Sequence, residues 1–422
     1  MTPVISDPES VEAALSDLAR TTEEVVTLQE LRQLLRSGRR LRMKYGVDLT
    51  APELHLGHAV NLWLYRRLQE LGHTVILLLG DFTTQIGDPT GRSRTRPVLP
   101  PEAIQRNADA LLGQALRILL DDDDVLQVRR NSAWSDRLSA KDLLSLLSGV
   151  TVERLLSREM FRHRQEEGAD VYAHELVYPL LQGYDSYALQ ADLTIIGTDQ
   201  LFNEMMGRWI QERLGQRPQV VLTTTITPGI DGREKQSKSL GDYIGILHSP
   251  RDKFGRVMRI PDHLVADYAR VYTVMAPEQL EEVRRLSQVK PMEAKLRLAT
   301  QIVRRYHGDQ VAAAERAWFE RTFSERKTPE ELPQLEVVDP APTALSLLRA
   351  AFPSEEKSNS ELRRLITQGA VQVDGTPVRD PEAVVGVPPG GVVVKVGKRR
   401  WFRVVARPST LGGVADAEGG RR

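Results

Sequence analysis

The fold is decided between residues 41 and 81, where the sequence reads LRMKYGVDLTAPELHLGHAVNLWLYRRLQELGHTVILLLGD. Its first seven residues have the composition of a β-strand, and a turn-rich stretch, DLTAPE, follows them. A helical pattern then runs from His55 to Leu71, with Gly72 as its stop. The run TVILLLGD is continuously apolar, as in a strand buried inside a parallel sheet. Strand, helix and strand form a right-handed βαβ unit, which predicts an α/β fold with a doubly wound parallel sheet.

The rest of the chain continues this pattern and then departs from it. Further strands are predicted at 125–130, 192–197 and 219–225, with helices between them and amphipathic helices at 9–37. After residue 250 the strand signal disappears, and Leu, Arg and Glu recur with helical period. The predicted organisation is an α/β domain at 1–245, a helical domain at 246–332, a linker at 333–342, a compact α-then-β module at 343–406 and a disordered tail at 407–422.

Composition excludes several classes of protein and site. The 422 residues include 57 basic and 57 acidic side chains, so a polyanion site must come from local clustering and not from net charge. The absence of cysteine excludes disulfides, thiolate metal sites and a cysteine nucleophile, and it fits a reducing cytoplasm. The N-terminus has no signal-peptide pattern, and the longest aliphatic run is too short to span a bilayer. We therefore expect a cytoplasmic protein with no membrane partner.

The first motif is His55-Leu56-Gly57-His58, at the start of the predicted helix. The i, i+3 spacing places both imidazoles on one face, beside the free amides and positive dipole of a helix N-terminus. Gly57 leaves space for a phosphate or a flat ring to approach. Taken alone, the pattern also fits ordinary surface histidines, or a zinc pair, although no third ligand lies at a suggestive spacing.

The second motif is Lys235-Gln236-Ser237-Lys238-Ser239, in the segment DGREKQSKSLGD after a predicted strand. Two lysines and two serines between glycines predict a mobile cationic loop that binds phosphate. The segment does not have the GxxxxGK pattern of a Walker A loop. A solvated charged loop is the alternative.

Together, the two motifs resemble the HIGH and KMSKS signatures of class I aminoacyl-tRNA synthetases. The segments Tyr178-x-x-x-Gln182-x-x-Asp185, Gly197-Thr198-Asp199-Gln200 and GDPTGRSRTR (87–96) narrow the resemblance to the bacterial tyrosyl-tRNA synthetase family. It is close over 35–245, looser over the helical segment, and extends to the C-terminal module by pattern. The resemblance implies a Rossmann-like catalytic domain, an anticodon-binding-type helical domain, and activation of tyrosine by ATP before transfer to tRNA(Tyr). It also implies Mg²⁺ carried with ATP, with no tightly bound protein metal.

Helical spacing supports a pocket for the amino acid. Tyr178, Gln182 and Asp185 are four and three residues apart, so a phenol, an amide and a carboxylate share one helix face. A solvated polar stripe is the alternative. The resemblance implies that Tyr178, Gln182 and Asp88 bind the substrate ammonium group, that Gln200 also contacts the substrate, and that Asp185 accepts a hydrogen bond from its phenol.

The remaining site residues are implied by the resemblance alone. It assigns catalysis to His55, His58, Lys235, Lys238 and Thr50, the ATP and adenylate site to Asp48, Gly57, Asn61, Gly197, Asp199, Arg92, Arg96 and Ser239, and the wall of the tyrosine pocket to Asn131 and Trp134.

Several positions depart from the family pattern. Lys44 occupies a position where many relatives have a tyrosine that touches the substrate hydroxyl, and a lysine cannot copy a phenol. Leu49 replaces a proline, Asn61 replaces a threonine, and GTDQLFN replaces GSDQWGN. These departures predict a distinct subgroup with the same activity, in which Lys44 belongs to the tyrosine-binding set.

The C-terminal module, 343–406, is locally basic, with ten lysines and arginines against six aspartates and glutamates. Its basic residues cluster on one helix and one hairpin, a pattern typical of a surface that binds an RNA backbone. It resembles an S4 RNA-binding domain, which recognises structured RNA by shape. A basic, solvated appendage is the alternative. The predicted tRNA-binding residues are Lys357, Arg363, Arg364, Lys398, Arg399 and Arg400.

Three other functions compete with tyrosine activation. A tryptophanyl-tRNA synthetase belongs to the same subclass but usually lacks an S4-like tail, and its pocket must accept an indole. A small-molecule nucleotidylyltransferase also uses an HxGH element, but it is much shorter. A non-catalytic RNA-binding protein is disfavoured because the motif residues that carry the chemistry are present. The resemblance also implies a homodimer.

Overall fold

The structure is a computed structural model that describes residues 2–90, 99–233, 235–236, 241–324, 332–352, 357–397 and 400–407. The chain divides into two compact units, Met1–Arg316 and Ala317–Arg422.

The first unit is built on a six-stranded sheet. Its strands are β1 (Thr22–Val26), β2 (Arg42–Asp48), β3 (Thr74–Gly80), β4 (Leu126–Arg130), β5 (Leu193–Gly197) and β6 (Val220–Thr224). The helices before β6 are α1 (Pro8–Ala19), α2 (Leu28–Arg36), α3 (Leu56–Gln69), α4 (Thr83–Ile86), α5 (Pro101–Ala115), α6 (Ser132–Ser135), α7 (Ala140–Leu147), α8 (Val152–Leu156), α9 (Glu159–Glu166), α10 (Ala173–Ala188) and α11 (Leu201–Arg213). A 3-10 turn, Thr198–Gln200, joins β5 to α11.

The strand order β1-β6-β5-β2-β3-β4 confirms the predicted doubly wound sheet. Strands β2 to β6 pair in parallel, and only the edge strand β1 is antiparallel, against β6. All seven residues of β3 are buried, as its unbroken apolar run requires. The chain winds in opposite directions from β2 and β5, so their carboxyl ends flank the crevice where ligands bind in open α/β sheets.

The sequence-based expectation of helices throughout 9–37 missed β1. The segment TEEVV is short, and its burial comes from pairing with β6, which local periodicity does not reveal. The strand predictions at 125–130, 192–197 and 219–225 correspond to β4, β5 and β6.

A run of helices comes directly after the sheet: α12 (Pro250–Val257), α13 (Val265–Tyr272), α14 (Pro277–Val289), α15 (Pro291–His307) and α16 (Asp309–Phe319), with a 3-10 turn at Asp262–Leu264 and a π-helical turn at Glu320–Ser324. Helices α12 to α15 belong to the same compact unit as the sheet. Trp63 Nε1 donates to Tyr306 Oη at 3.3 Å, and Arg20 donates to the carbonyls of Arg270 and Met275. These contacts join the helices to the sheet layer. No helix among the described residues is both long enough and apolar enough to cross a membrane.

The second unit contains a five-stranded sheet of order β7-β11-β10-β8-β9. Its elements are β7 (Gln334–Val337), α17 (Ala344–Ala351), α18 (Asn359–Thr367), β8 (Val371–Val373), β9 (Thr376–Val378), β10 (Val392–Val396) and β11 (Arg400–Ala406). Both helices pack on a core that includes Leu348, Leu362 and Val394. The segment predicted as a linker, 333–342, contributes β7, which pairs in parallel with β11. Pairing with a strand so distant in sequence gives no local signal.

Candidate active site

A cavity of about 330 Å³ opens at the carboxyl ends of β2 and β5. Side chains from both sequence motifs and from α10 line it. The lining residues are Lys44, Tyr45, Gly46, Val47, Asp48, Thr50, His55, Gly57, His58, Asn61, Leu78, Gly80, Thr83, Asp88, Tyr178, Gln182, Asp185, Ile196, Gly197, Asp199, Gln200, Glu204, Thr224, Thr225, Ile226, Thr227, Lys235, Gln236 and Tyr272.

The first motif forms the N-terminus of α3. His55 is the N-cap residue, and its Nδ1 accepts from the amide of Gly57 at 3.1 Å. His58 Nδ1 accepts from the amide of His55 at 3.3 Å, and the two rings are in contact, with centroids 4.0 Å apart and planes tilted by 55°. Because both Nδ1 atoms accept hydrogen bonds, the proton of each neutral imidazole resides on Nε2. Each ring can therefore offer an Nε2–H to an anion.

Gly57 has a steric reason to be glycine. A Cβ atom at this position would lie 2.9 Å from Cε1 and 3.0 Å from Nδ1 of His55. Real Cβ contacts almost never come so close. The missing side chain is thus what allows the His55 ring to fold back over the first helical turn.

Backbone pairing holds the two motifs together. The amide of Leu56 donates to the carbonyl of Ile244 at 2.9 Å, and the amide of Ile246 donates to the carbonyl of Leu54 at 2.9 Å. His55 and Gly245 form the antiparallel bridge between these bonds. The segment that follows the second motif is therefore fixed against the first motif, which explains how sites so distant in sequence share one cavity.

Two residues of the second motif are described, and they face different surroundings. Lys235 Nζ lies 2.6 Å from Asp199 Oδ2, with half of its side chain exposed. Gln236 is buried, where it donates to Tyr272 Oη at 2.8 Å and accepts from the amide of Ile244 at 3.2 Å. Sequence reasoning singled out the lysines and serines of this motif. Gln236 instead fixes the described part of the motif to Tyr272 and Ile244, a role that its polar side chain alone could not signal.

Asp48, at the end of β2, is held by two hydroxyl donors. Thr83 Oγ1 donates to its Oδ1 at 2.8 Å, and Tyr178 Oη donates to its Oδ2 at 3.0 Å. Burial and the neighbouring carboxylates raise the pKa of Tyr178, which therefore remains a neutral donor. This bond ties the polar face of α10 to the strand that precedes the first motif.

Asp185 occupies a buried end of the cavity, with only 3% of its surface exposed. Trp134 Nε1 donates to Oδ1 at 2.8 Å, and Asn131 Nδ2 donates to Oδ2 at 3.2 Å. Burial raises the pKa of Asp185 to about 7, against the opposing effects of Lys44 and the two donors. A buried carboxylate of this kind can accept a further hydrogen bond from a ligand hydroxyl.

A cluster of three hydrogen-bonded side-chain amides, those of Gln182, Gln200 and Asn203, lies next to Asp88. Gln200 Nε2 donates to Asp88 Oδ2 at 2.8 Å. The side-chain amide of Asn203 donates to the carbonyl oxygens of both Gln182, at 2.8 Å, and Gln200, at 3.0 Å. Asp88 also accepts from the amide and hydroxyl of Thr90. Asn203 was not predicted, although it lies in the GTDQLFN segment.

Lys44 lies beneath the cluster of amides formed by Gln182, Gln200 and Asn203, and it is 1% exposed. Its Nζ lies 2.8 Å and 3.0 Å from the two carboxylate oxygens of Glu204, 2.7 Å from Ser186 Oγ and 3.4 Å from the carbonyl of Gln182. These protein atoms engage all three N–H donors of the ammonium group. Sequence reasoning predicted that Lys44 contacts the substrate, and it missed Glu204, which has no motif of its own.

The remaining described residues of the predicted nucleotide site also face the cavity. Thr50 and Gly197 line it, and Asn61 Oδ1 accepts from Thr224 Oγ1 at 2.7 Å. Among the described residues, no group of three or more His, Cys, Asp and Glu side chains is arranged to hold a metal ion.

A model of the family described as tRNA synthetases class I (W and Y) matches residues 36–324. The chain belongs to this family. It is similar to the tyrosine–tRNA ligase of Aquifex aeolicus (strain VF5), with 42% identity over 395 residues that cover 94% of this chain and 99% of that one. It is also similar to the tyrosine–tRNA ligase of Thermotoga maritima, with 40% identity over 390 residues that cover 92% and 96% of the two chains.

A solved structure extends the likeness in fold. The C-terminally truncated mitochondrial tyrosyl-tRNA synthetase of Aspergillus nidulans matches with a TM-score of 0.60 and 21% identity, over 74% of this chain and 94% of that one. At this identity the match shows the shared class I synthetase fold and nothing finer.

Several predicted residues of this family member lie outside the described part of the chain. They are Lys238 of the predicted catalytic set, Arg92, Arg96 and Ser239 of the predicted nucleotide site, and Lys398 and Arg399 of the predicted tRNA-binding set.

The described members of the predicted tRNA-binding set lie in the second unit. Lys357 Nζ and Arg400 Cζ lie 5.9 Å and 5.1 Å from the ring centroid of Phe352, so both cations contact one aromatic ring. Arg363 and Arg364 lie on α18, where Arg363 pairs with Glu382 at 3.1 Å. The structure thus places Lys357 and Arg400, which are distant in sequence, around the same aromatic ring.

Proposed function

We propose that this protein is a tyrosine–tRNA ligase. It activates tyrosine with ATP to form tyrosyl-adenylate, releases pyrophosphate, and transfers the tyrosyl group to the terminal adenosine ribose of tRNA(Tyr). Membership of the class I (W and Y) family and near-complete coverage of relatives named tyrosine–tRNA ligase support this activity. The observation that carries it is the convergence, in one cavity, of both motifs and an α10 face that includes Asp185.

The amino acid lies with its phenol at Asp185 and its ammonium group near Asp88. At the phenol end, Asn131 and Trp134 each donate a hydrogen bond to one oxygen of Asp185. The remaining lone pairs of the carboxylate accept a hydrogen bond from the substrate hydroxyl. At the other end, carboxylate and amide oxygens suit an ammonium donor. The tyrosine-binding residues are Tyr178, Gln182, Asp185, Asp88, Gln200 and Asn131, with Lys44 beneath them.

Adenylation needs no general base because the attacking carboxylate is already ionised. Catalysis therefore consists of positioning and of stabilising the negative charge that develops on the phosphates. The Nε2–H groups of His55 and His58, at the positive end of α3, donate to the nucleotide phosphates. Lys235 and Lys238 add positive charge, and Thr50 donates near the α-phosphate. Mg²⁺ arrives with ATP as part of the substrate.

The nucleoside part of ATP binds on the β5 side of the cavity. Asp199 and Gly197, at the end of β5, hold the ribose, and Asn61 lies nearby. Asp48 orients the adenylate, while Gly57 allows the base or the phosphates to approach α3. Arg92, Arg96 and Ser239, which lie outside the described residues, complete this predicted set.

The second unit supplies the RNA-binding surface. The set Lys357, Arg363, Arg364, Lys398, Arg399 and Arg400 binds the tRNA backbone, in agreement with the basic composition of 343–406. The homodimer proposal rests on the family resemblance, and sedimentation velocity of the full chain tests it. We place the enzyme in the cytoplasm because the reaction needs tRNA and ATP.

Pyrophosphate exchange measured with each of the twenty amino acids tests the activity. We expect tyrosine to support exchange, with tryptophan and phenylalanine far below it, and we expect charging of a tyrosine acceptor in total tRNA. Exchange that depends on tryptophan would assign the enzyme to the other half of the family. The absence of any amino acid-dependent exchange by folded protein would refute the proposal.

A further inference from the structure

A fully buried ion pair lies directly below the amino acid end of the cavity. The side chains of Lys44 and Glu204 are 1% and 2% exposed and are joined at 2.8 Å. Removing two charges from water costs several kcal/mol per ion, and such pairs are often no more stabilising than apolar side chains of similar volume. Stability alone therefore does not explain the pair, and its other contacts become informative.

Glu204 determines how the side-chain amide of Gln182 is oriented. Glu204 Oε1 accepts from Gln182 Nε2 at 2.8 Å. An ionised carboxylate only accepts hydrogen bonds, so Gln182 must turn its NH₂ group towards Glu204 and its carbonyl oxygen away. Asn203 Nδ2 donates to that carbonyl oxygen at 2.8 Å, which fixes the same orientation from the other side.

The neighbouring amide is fixed in the same way. Gln200 Nε2 donates to the carboxylate of Asp88, and Gln200 Oε1 accepts from Asn203 at 3.0 Å. The bonds to Asn203 and to the carboxylates of Glu204 and Asp88 thus fix both glutamine amides. Their side-chain oxygens, which accept hydrogen bonds, lie near one another. An ammonium group binds acceptors and is repelled by NH₂ groups, so the orientation of each amide decides whether the site accepts an amino acid.

We propose that Glu204 is a positioning residue for the amino group of the substrate, and that Lys44 is the counter-charge paired with its carboxylate in the interior. The inference rests on the proposed function, since it assigns a task within the tyrosine subsite. Lys44 acts on the substrate through Glu204 and Gln182, because the N–H donors of its ammonium group are bound to protein acceptors. Its Nζ also contacts the Gln182 carbonyl, so the pair fixes the backbone and the side chain of one substrate-binding residue.

The competing explanation is a pair that supports packing only. The two explanations make different predictions for variants in which both charges of the pair are removed together. In the double variants Lys44→Met/Glu204→Gln and Lys44→Met/Glu204→Met, the interior contains no unpaired ion in either case. Only the Glu204→Met change removes the acceptor for Gln182 Nε2, because the Glu204→Gln change still leaves a carbonyl oxygen at that position.

The experiment measures KM for tyrosine and for ATP by pyrophosphate exchange, with urea unfolding of each variant. We expect KM for tyrosine to be about tenfold higher in Lys44→Met/Glu204→Met than in Lys44→Met/Glu204→Gln, because one buried amide loses its partner, while KM for ATP changes less than about twofold. Gln219→Met is the matched control. It removes a 2.8 Å hydrogen bond to the other oxygen of the same carboxylate, away from Gln182, and should leave both KM values near wild type.

A second measurement isolates the amino group. 3-(4-Hydroxyphenyl)propanoate lacks the ammonium group, so its inhibition constant should be nearly equal in the two double variants, whereas tyrosine should bind more weakly to Lys44→Met/Glu204→Met than to Lys44→Met/Glu204→Gln. The isosteric single variant Glu204→Gln serves if a double variant does not fold: it leaves Lys44 without its counter-charge, so tyrosine should lose more affinity than the analogue without an ammonium group. Equal loss of affinity for both ligands, or equal KM for tyrosine in the two double variants, would overturn the inference. Wild-type protein without tyrosine-dependent exchange would instead overturn the proposed function.

Discussion

Lys235 Nζ and Asp199 Oδ2 lie 2.6 Å apart, which joins the cation of the second motif to the acid at the end of β5. The two side chains are 50% and 30% exposed, so the ion pair adds little to folding stability. Its position matters more than its energy, because it holds a cation at the edge of the cavity before any nucleotide binds.

The first prediction concerns this lysine. Lys235→Ala should lower the single-turnover rate of adenylate formation by about 10²–10³-fold, since one preorganised donor to a developing charge is lost. The free energy of unfolding should stay within about 0.5 kcal/mol of wild type, as expected for a partly exposed pair. Rapid-quench kinetics and urea unfolding measure the two quantities.

Arg233→Ala is the control for that experiment. Arg233 is an exposed cation of the same loop, so removing it changes the net charge equally without touching Asp199. Similar rate losses in both variants would show that general loop charge, and not the placement of Lys235, drives adenylation.

The second prediction concerns Gly57. Gly57→Ala places a methyl group against the His55 ring, which must rotate away from its position over the first turn of α3. We expect a large loss of adenylation rate with little loss of stability, because alanine favours the helix by up to about 1 kcal/mol over glycine.

Gly113→Ala on α5 provides the matched control, because its Cβ would meet no atom within 4 Å. That variant should be as active as wild type and equally or more stable. Wild-type adenylation by Gly57→Ala would mean that the His55 ring geometry does not matter for the reaction.

The third prediction is a pH dependence that comes from Asp185. Burial raises the pKa of Asp185 from 3.8 to about 7, so between those values the folded state binds a proton that the unfolded state has released. Stability from this group is therefore fully present below pH 3.8 and is lost as the pH rises through about 7. Relative to Asp185→Asn, the wild-type free energy of unfolding should fall by up to about 4 kcal/mol between about pH 4 and pH 8.

Urea unfolding of the wild type and of Asp185→Asn across this pH range measures the difference between their free energies of unfolding. The titrations of most other groups are common to both proteins and cancel in this difference. A constant offset between the two curves is expected as well, because asparagine cannot accept from both Asn131 and Trp134. Curves that differ by that offset alone would contradict a raised pKa. Discrimination of tyrosine from phenylalanine should also fall in the variant, because the acceptor for the phenol is weakened.

The sequence predicted those parts of the site that depend on local spacing. Tyr178, Gln182 and Asp185 lie four and three residues apart, so helical geometry alone was enough to place them on one face. Lys44 and Glu204 could not be paired from sequence, because each is an ordinary charged residue and only the packing of β2 beside α10 and α11 brings them into contact.

The same limit explains the errors in the fold. Strands β1 and β7 are short, and each is stabilised by a partner far away in sequence, β6 and β11 respectively. Strand β3 was predictable because all of its residues are buried, and burial on both faces leaves an unbroken apolar run.

The last prediction concerns the second unit. Lys357 and Arg400 meet at the ring of Phe352, although one precedes α18 and the other begins β11. Replacing both with alanine should weaken tRNA binding and reduce by about two the slope of log affinity against log salt, since about one counterion is released per phosphate contact. Tyrosine-dependent pyrophosphate exchange should be unchanged, because the cavity lies in the first unit.

The control is Arg32→Ala/Arg36→Ala, which removes two cations that pair with Glu12 and should alter neither measurement. An unchanged salt slope in the Lys357/Arg400 variant would exclude these two cations from the tRNA-binding surface.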